Sequence, residues 1–335
     1  MQQTDAVNNA AAASEDQIQA KLIAEARKKE KLTEILPYIG ILFLIAVFGA
    51  ATKGKFLGVD NLALLLNQCF TMIIIMTGAI FIYGMGSMDM AIGQVLALDS
   101  LALTLLYNSG WPLAVSVLAG MAVAVLFMGV TAFAKNYLGI SPFIASLCVA
   151  NVASGIVVAY CKGSKVIFPY SRAPWLNNSV TKILVLAAIL VIGYILFNFT
   201  PLGKSVKCIG GSPVVSRISG IKVEKTNFLA YLTMAVCIGI AAVFTVARGG
   251  AVDPSTGSST NLNVMIGIVL GGFPLHGGAN ARFASPIIGA LMVAILTNGL
   301  GMLGQANSVG YALKALLFLI VVAITYEKSL GKLVN

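Results

Sequence analysis

The sequence predicts an all-α protein: a polytopic transmembrane bundle of about ten helices. Three observations predict it. First, 58% of the 335 residues are hydrophobic and only 10% are charged. A soluble domain is about a quarter charged because water must solvate its surface. Second, long runs such as 61–88 and 100–134 contain no charged residue at all. About 20 apolar residues suffice for a helix to cross the bilayer core. Third, Lys and Arg collect unevenly in the intervals between runs, as membrane topology requires.

The elements follow in order. Residues 1–34 form a polar tail in which Lys21, Arg27, Lys28, Lys29 and Lys31 mix with Glu15, Asp16, Glu25, Glu30 and Glu34. It is too long and too acidic for the n-region of a signal peptide, and no small-residue cleavage site follows. The first apolar helix is therefore expected to be retained, and residues 35–335 to form the membrane domain. The spans are expected at 35–52, within 61–88, at 88–107 and at 113–134. Asn108, Ser109, Gly110, Trp111 and Pro112 break the third from the fourth. The remaining spans are expected within 136–161, at 183–203, at 226–247, within 254–281, within 283–313, and from Lys314 to Tyr326.

With the N-terminus inside, the inside segments carry 14 Lys and Arg and the outside segments carry 7. This places both termini in the cytoplasm. It also accounts for the net charge of +10 without nucleic acid, which would need a basic face on a soluble fold. The five cysteines, Cys69, Cys148, Cys161, Cys208 and Cys237, are scattered and read as small buried hydrophobes. A lone His276 excludes a multi-histidine metal site. No cofactor is expected on this chain, and no GxxxxGK[ST] phosphate loop is present.

The loop 201–227 is the most informative. Its centre comprises Gly210, Gly211, Ser212, Pro213, Val214, Val215, Ser216, Arg217, Ile218, Ser219, Gly220 and Ile221. Gly, Ser and Pro form a helix-start signature. Val214, Val215, Ile218 and Ile221 then recur at helical spacing, with Arg217 and Ser219 off the stripe. Two roles fit a short amphipathic helix there: resting on lipid headgroups, or receiving a cytoplasmic partner.

The loop is also where a resemblance emerges. LGKSVKCIGGSPVVSRISGIKV (202–223), VARGGAVDPSTG (246–257) and IGIVLGGFPLHGGANARFASPIIGALMVAILTNGLGMLG (266–304) occur in that order. GSMDMAIGQVLAL (86–98) precedes them, and Lys314 sits in a YALKAL context. Together these resemble the membrane subunit of bacterial ABC importers of the ribose/simple-sugar and branched-chain amino-acid permease family. The resemblance implies two pseudo-related halves in a cobalamin-importer-like type II permease, in the bacterial inner membrane. It implies a second permease subunit, identical or related, cytoplasmic ATPases carrying ATP-Mg, and an extracytoplasmic substrate-binding protein. It maps the ATPase-coupling helix onto 210–221. The solute it implies is a ribose-like monosaccharide. A nucleoside, a signalling sugar derivative or a branched-chain amino acid is the alternative within the family. This chain departs from the ribose permeases in Met88, Met90 and Ala91 around Asp89. It also has Asn261 and Asn263 where acidic residues are usual, and HGGANAR at 276–282.

Polar residues inside apolar runs are the candidates for the solute path: Asn67, Gln68, Asp89, Gln94, Asn151 and Asn298. Interhelical hydrogen bonding is the competing role for the amides. Asp89 is expected to N-cap the third helix after the Gly-rich break. Asp99 faces either the interior or an interface. The Gly-broken regions 85–98 and 271–294 suggest an internal repeat, against simple close packing through Ser285 and Gly289. A carrier driven by an ion gradient would rely on intramembrane ionisable groups, which here are few: Asp89, Asp99 and Lys314.

Overall fold

The fold was described from a computed structural model, which covers residues 37–304 apart from Leu275, with scattered positions between 310 and 319. The polar tail and most of the tenth expected span, with Lys314, lie outside the described residues.

Each of the nine other expected segments contains an apolar helix. These are α1 (Pro37–Ala51), α2 (Val59–Gly84), α3 (Ile92–Asn108), α4 (Leu113–Tyr137), α5 (Pro142–Cys161) and α6 (Ser179–Asn198). After two short helices, α7 (Pro201–Gly211) and α8 (Pro213–Ile218), come α9 (Val223–Gly249), α10 (Thr260–Leu270) and α11 (Ser285–Met302). Local chemistry sets several ends. Pro142 opens α5 at its first turn, where no amide partner is lost. Gly250 closes α9 in the left-handed conformation, at φ +68°. α6 starts at Ser179, ahead of the expected 183. The Asn178 side chain accepts the Val180 N–H there at 3.2 Å, and Lys182 is carried on the helix rather than before it.

One element has no trace in the apolar pattern. β1 (Val166–Ile167) pairs antiparallel with β2 (Ala251–Val252), Val166 opposite Val252. Two-residue strands are too short to show a period of two. Asn108 donates to the Ile167 carbonyl at 2.9 Å, and Lys165 lies 3.9 Å from Asp253. One end of the bundle is therefore tied by the loops around 108, 165 and 252. Hydrogen bonds from the Ser255 hydroxyl, and from Thr256 and the Ser255 amide, hold the Asp253 carboxyl below the usual carboxylate range.

α2 and α9 form the centre. Within the most apolar stretch of α2, 78% of residues are buried, against 17% for α6. Tyr83, Ile74, Met76 and Ile80 of α2 meet a core that includes Tyr231, Met234 and Ile238 of α9. α4, α5 and α6 present Leu118, Leu126, Ile144, Ile183 and Val191 outward. Apolar side chains on an outer surface cost nothing against lipid.

Without a hydrophobic drive inside a bilayer, helices join by close packing. α10 and α11 show this. A β-carbon on Gly289 would lie 1.8 Å from the Gly267 carbonyl oxygen. The two backbones therefore touch at Gly289, the close packing that stood as the alternative to an internal repeat. Gly289→Ala should cost about 1–3 kcal/mol by overpacking. It should lower the melting temperature of the purified protein in detergent, and an unchanged value would contradict the contact.

Candidate functional site

The loop 201–227 folds as two helices joined at Ser212. α7 starts with Pro201 and buries Gly203, Val206 and Ile209. Its Lys207 ammonium sits 4.6 Å from the Phe197 ring centre and donates to Asn198 at 3.2 Å. Ser212 is extended, its hydroxyl accepts the Val215 N–H at 3.4 Å, and Pro213 follows at the first helical position. The start signature thus produces a six-residue helix. Only Ser216 of α8 is buried. Val214, Val215 and Ile218 point outward, Ile218 at 83% exposure. Ile221 leaves the expected stripe: Gly220, at φ +83°, ends the turn and sends Ile221 back against the core. Arg217 pairs with Glu224 in the first turn of α9. The surface of α8 is thus three apolar side chains beside a neutralised arginine.

The base of this loop is packed on both helix breaks. A β-carbon on Gly210 would lie 2.1 Å from the Gly84 carbonyl oxygen and 2.3 Å from the Gly278 nitrogen. Gly84 ends α2, and its carbonyl accepts the Gly278 N–H at 3.1 Å. This satisfies one of the carbonyls that a helix end leaves without an internal partner. A β-carbon on Gly86 would come within 2.7 Å of the His276 carbonyl oxygen. The break 85–91 between α2 and α3 and the break 271–284 between α10 and α11 therefore touch each other, and α7 ends upon both. Gly210 is a packing position, whereas a β-carbon on Gly211 would meet nothing within 4 Å.

The first break is held from several sides. The Ser146 hydroxyl of α5 accepts the Met90 N–H at 3.0 Å. The Asn261 amide of α10 donates to the Met90 carbonyl and accepts the Gly93 N–H. This requires a side chain that both donates and accepts. A carboxylate only accepts, so the departure at Asn261 has a structural reason. Asp89 is fully buried, and one of its oxygens accepts the Ala91 N–H at 2.7 Å. It does not cap α3 as expected. Ala91 is the cap residue and α3 begins at Ile92, so Asp89 fastens the end of the break, three residues before the helix. The hydroxyls of Tyr83 and Tyr231 lie beside its carboxylate. Asp99 faces the interior. It is fully buried against α4, where a β-carbon on Gly120 would lie 2.1 Å from its Oδ1.

The six solute-path candidates are dispersed, and no hydrogen bond among the described residues joins any two of them. Asn67 donates to Ala63 one turn back and accepts from Lys182 at 2.7 Å. Gln68 and Gln94 are half-buried, and Asn298 is buried on α11. Asn151 is exposed on α5, its amide turned onto the Leu147 carbonyl at 2.8 Å. Sequence reasoning passed over Gly84, Gly277, Gly278 and Asn261 as contact residues. Their signal was the Gly84–Met85–Gly86 end of an apolar run, the Gly277–Gly278 pair and the Asn at an acidic position.

A paired substitution tests the glycine contact. Gly210→Ala should destabilise the protein by about 1–3 kcal/mol. Gly211→Ala should be neutral, or stabilising by up to about 1 kcal/mol through helix propensity. Detergent melting curves report both, and equal effects would contradict the contact.

Comparison with known proteins agrees with this architecture. Residues 61–322 match the family described as the permease component of the branched-chain amino acid transport system. The chain is 27% identical over 301 residues to the ribose import permease of Bacillus subtilis, covering 88% of this chain and 92% of that one. It is 26% identical to the D-allose transport system permease of Escherichia coli, covering 87% and 90%. It is 25% identical to the xylose transport system permease of Haemophilus influenzae, covering 89% and 97%. No solved structure matches the chain. With three-quarters of its length matched and its breaks and basic loop placed together, the chain belongs to this permease family.

Proposed function

We propose that the chain is the membrane subunit of an ATP-driven importer for a simple sugar, a ribose-like monosaccharide delivered by a substrate-binding protein. One observation carries the reading. A short exposed helix, α8, stands on a base packed against both helix breaks. Such a helix can take up a push at its surface and pass it to the segments that interrupt the spans. Val214, Val215 and Ile218 supply apolar anchors for a groove on a cytoplasmic ATPase, which binds and hydrolyses ATP-Mg. Two permease subunits, alike or related, enclose the path. Broken helices are where transporters place their solute sites.

The names of the relatives support a sugar, since ribose, allose and xylose permeases all align along nearly the whole chain. A neutral, hydroxyl-rich solute is met by hydroxyls and amides rather than by charges. A nucleoside or a sugar derivative would use the same chemistry, whereas a branched-chain amino acid would need its charges met.

Reconstitution in proteoliposomes with the ATPase and binding protein encoded nearby tests this. Labelled ribose, xylose and allose should enter only with ATP. Entry driven by a proton or sodium gradient alone would overturn the reading and favour a secondary carrier. Ile218→Asp should weaken ATPase binding by about tenfold, or about 1.4 kcal/mol. Wild-type binding would count against α8 as the docking element.

A further inference from the structure

Lys135 stands at the end of α4, where a lysine ordinarily turns its ammonium out to water. Here it turns inward. Its Nζ donates to the Ser87 hydroxyl at 2.7 Å and to the Asn227 side-chain oxygen at 2.8 Å. Ser87 and Asn227 are both buried. Lys135 has no carboxylate partner among the described residues, where the ion pairs are Lys165–Asp253 and Arg217–Glu224. A structural ammonium at a helix end is usually neutralised or solvated. One spent on two neutral acceptors, on two different elements, acts as a strap between them. Its hydrogen bonds are charge-assisted, the stronger class.

The strap continues to the coupling helix. The Asn227 amide donates to the Asn136 side-chain oxygen at 2.8 Å. The Asn136 amide donates to the Glu224 carbonyl at 3.0 Å. The Glu224 side chain holds Arg217 of α8. α8, the first turns of α9, the end of α4 and the break 85–91 are thus linked in series, the path passing through Glu224 from its backbone carbonyl to its side chain. Its far end, Ser87, is two residues from Asp89, whose carboxylate holds the last amide before α3.

We propose that Lys135 is a positioning residue for transport: it ties the break 85–91 to the first turns of α9, so that displacement of α8 moves the break and α3 with it. The inference rests on the reading of α8 as the docking element. It adds a second connection beside the glycine contact at Gly210. That contact resists compression only, whereas the hydrogen-bonded strap also pulls.

The experiment is hydrogen–deuterium exchange on the assembled transporter, with and without ATP-vanadate trapping. In the wild type, trapping should change exchange both at 212–221 and at 85–91. In Lys135→Met, the change at 212–221 should persist and the change at 85–91 should be lost. Ser87→Ala, a milder variant that keeps the lysine, should lose it in part, and Lys135→Arg should restore it. A merely structural role would instead raise exchange at 85–91 equally in both states. That result, or a wild-type response at 85–91 in both Lys135→Met and Ser87→Ala, overturns the proposal. If 212–221 fails to respond in the wild type, the reading of α8 fails instead, and the two failures are distinct. Should Lys135→Met not assemble, the Ser87→Ala comparison decides alone.

Discussion

The constraint on which the structure depends is the satisfaction of backbone polar groups where water is scarce. A continuous helix meets it by itself, and an interrupted one does not. This chain interrupts its helices twice, and the two interruptions answer each other. The carbonyl at the end of α2 is taken by the amide of Gly278 from the other break. The amides and carbonyls around α3's start are taken by Asp89, Ser146 and Asn261. Glycine is used at Gly210 because the backbones of Gly84 and Gly278 approach it, and at Gly84 because the Val206 side chain of α7 packs on it, not because the chain must turn there. Each break is thus held in part by the other.

The remaining organisation follows from that centre. α2 and α9 are buried, and they carry groups that face the first break, including Tyr83 and Tyr231 beside Asp89. α4 to α6 wrap them and turn apolar side chains outward. The end of α7 then lies where the two breaks meet. A loop that only connected α6 to α9 would have no reason to end a helix on Gly84 and Gly278.

Much of this was legible in the sequence. Apolar runs located nine described helices; six of them are long and apolar enough to cross a membrane, and α1, α3 and α10 are shorter. The Gly-Ser-Pro signature located α8, because capping is a local matter. What the pattern could not give was anything dependent on pairs distant in the chain. Asn261 meets Met90 across 171 residues, and Lys135 meets Asn227 across 92. Asp89 was misplaced by the same limit. A carboxylate before an apolar run reads as a cap, but here tertiary contacts at Met90 and Gly93 set where α3 begins. The solute-path candidates were chosen by polarity within apolar runs. Polarity does not say which way a side chain faces, and so Asn151 emerged on the exposed face of α5 and Asn67 beside Lys182.

The contact of Asp99 with Gly120 has a consequence for how this chain can diverge. The carboxylate fills the space that any larger residue at 120 would need, so a larger residue there would have to displace it. A related permease with alanine or serine at 120 must carry a smaller or differently turned side chain at 99. Substitutions at this pair should therefore arise together or in compensating order, and a lineage that has shortened position 99 is freed to enlarge position 120. The buried acid thereby acts as a steric lock on the ancestry of the α3–α4 seam.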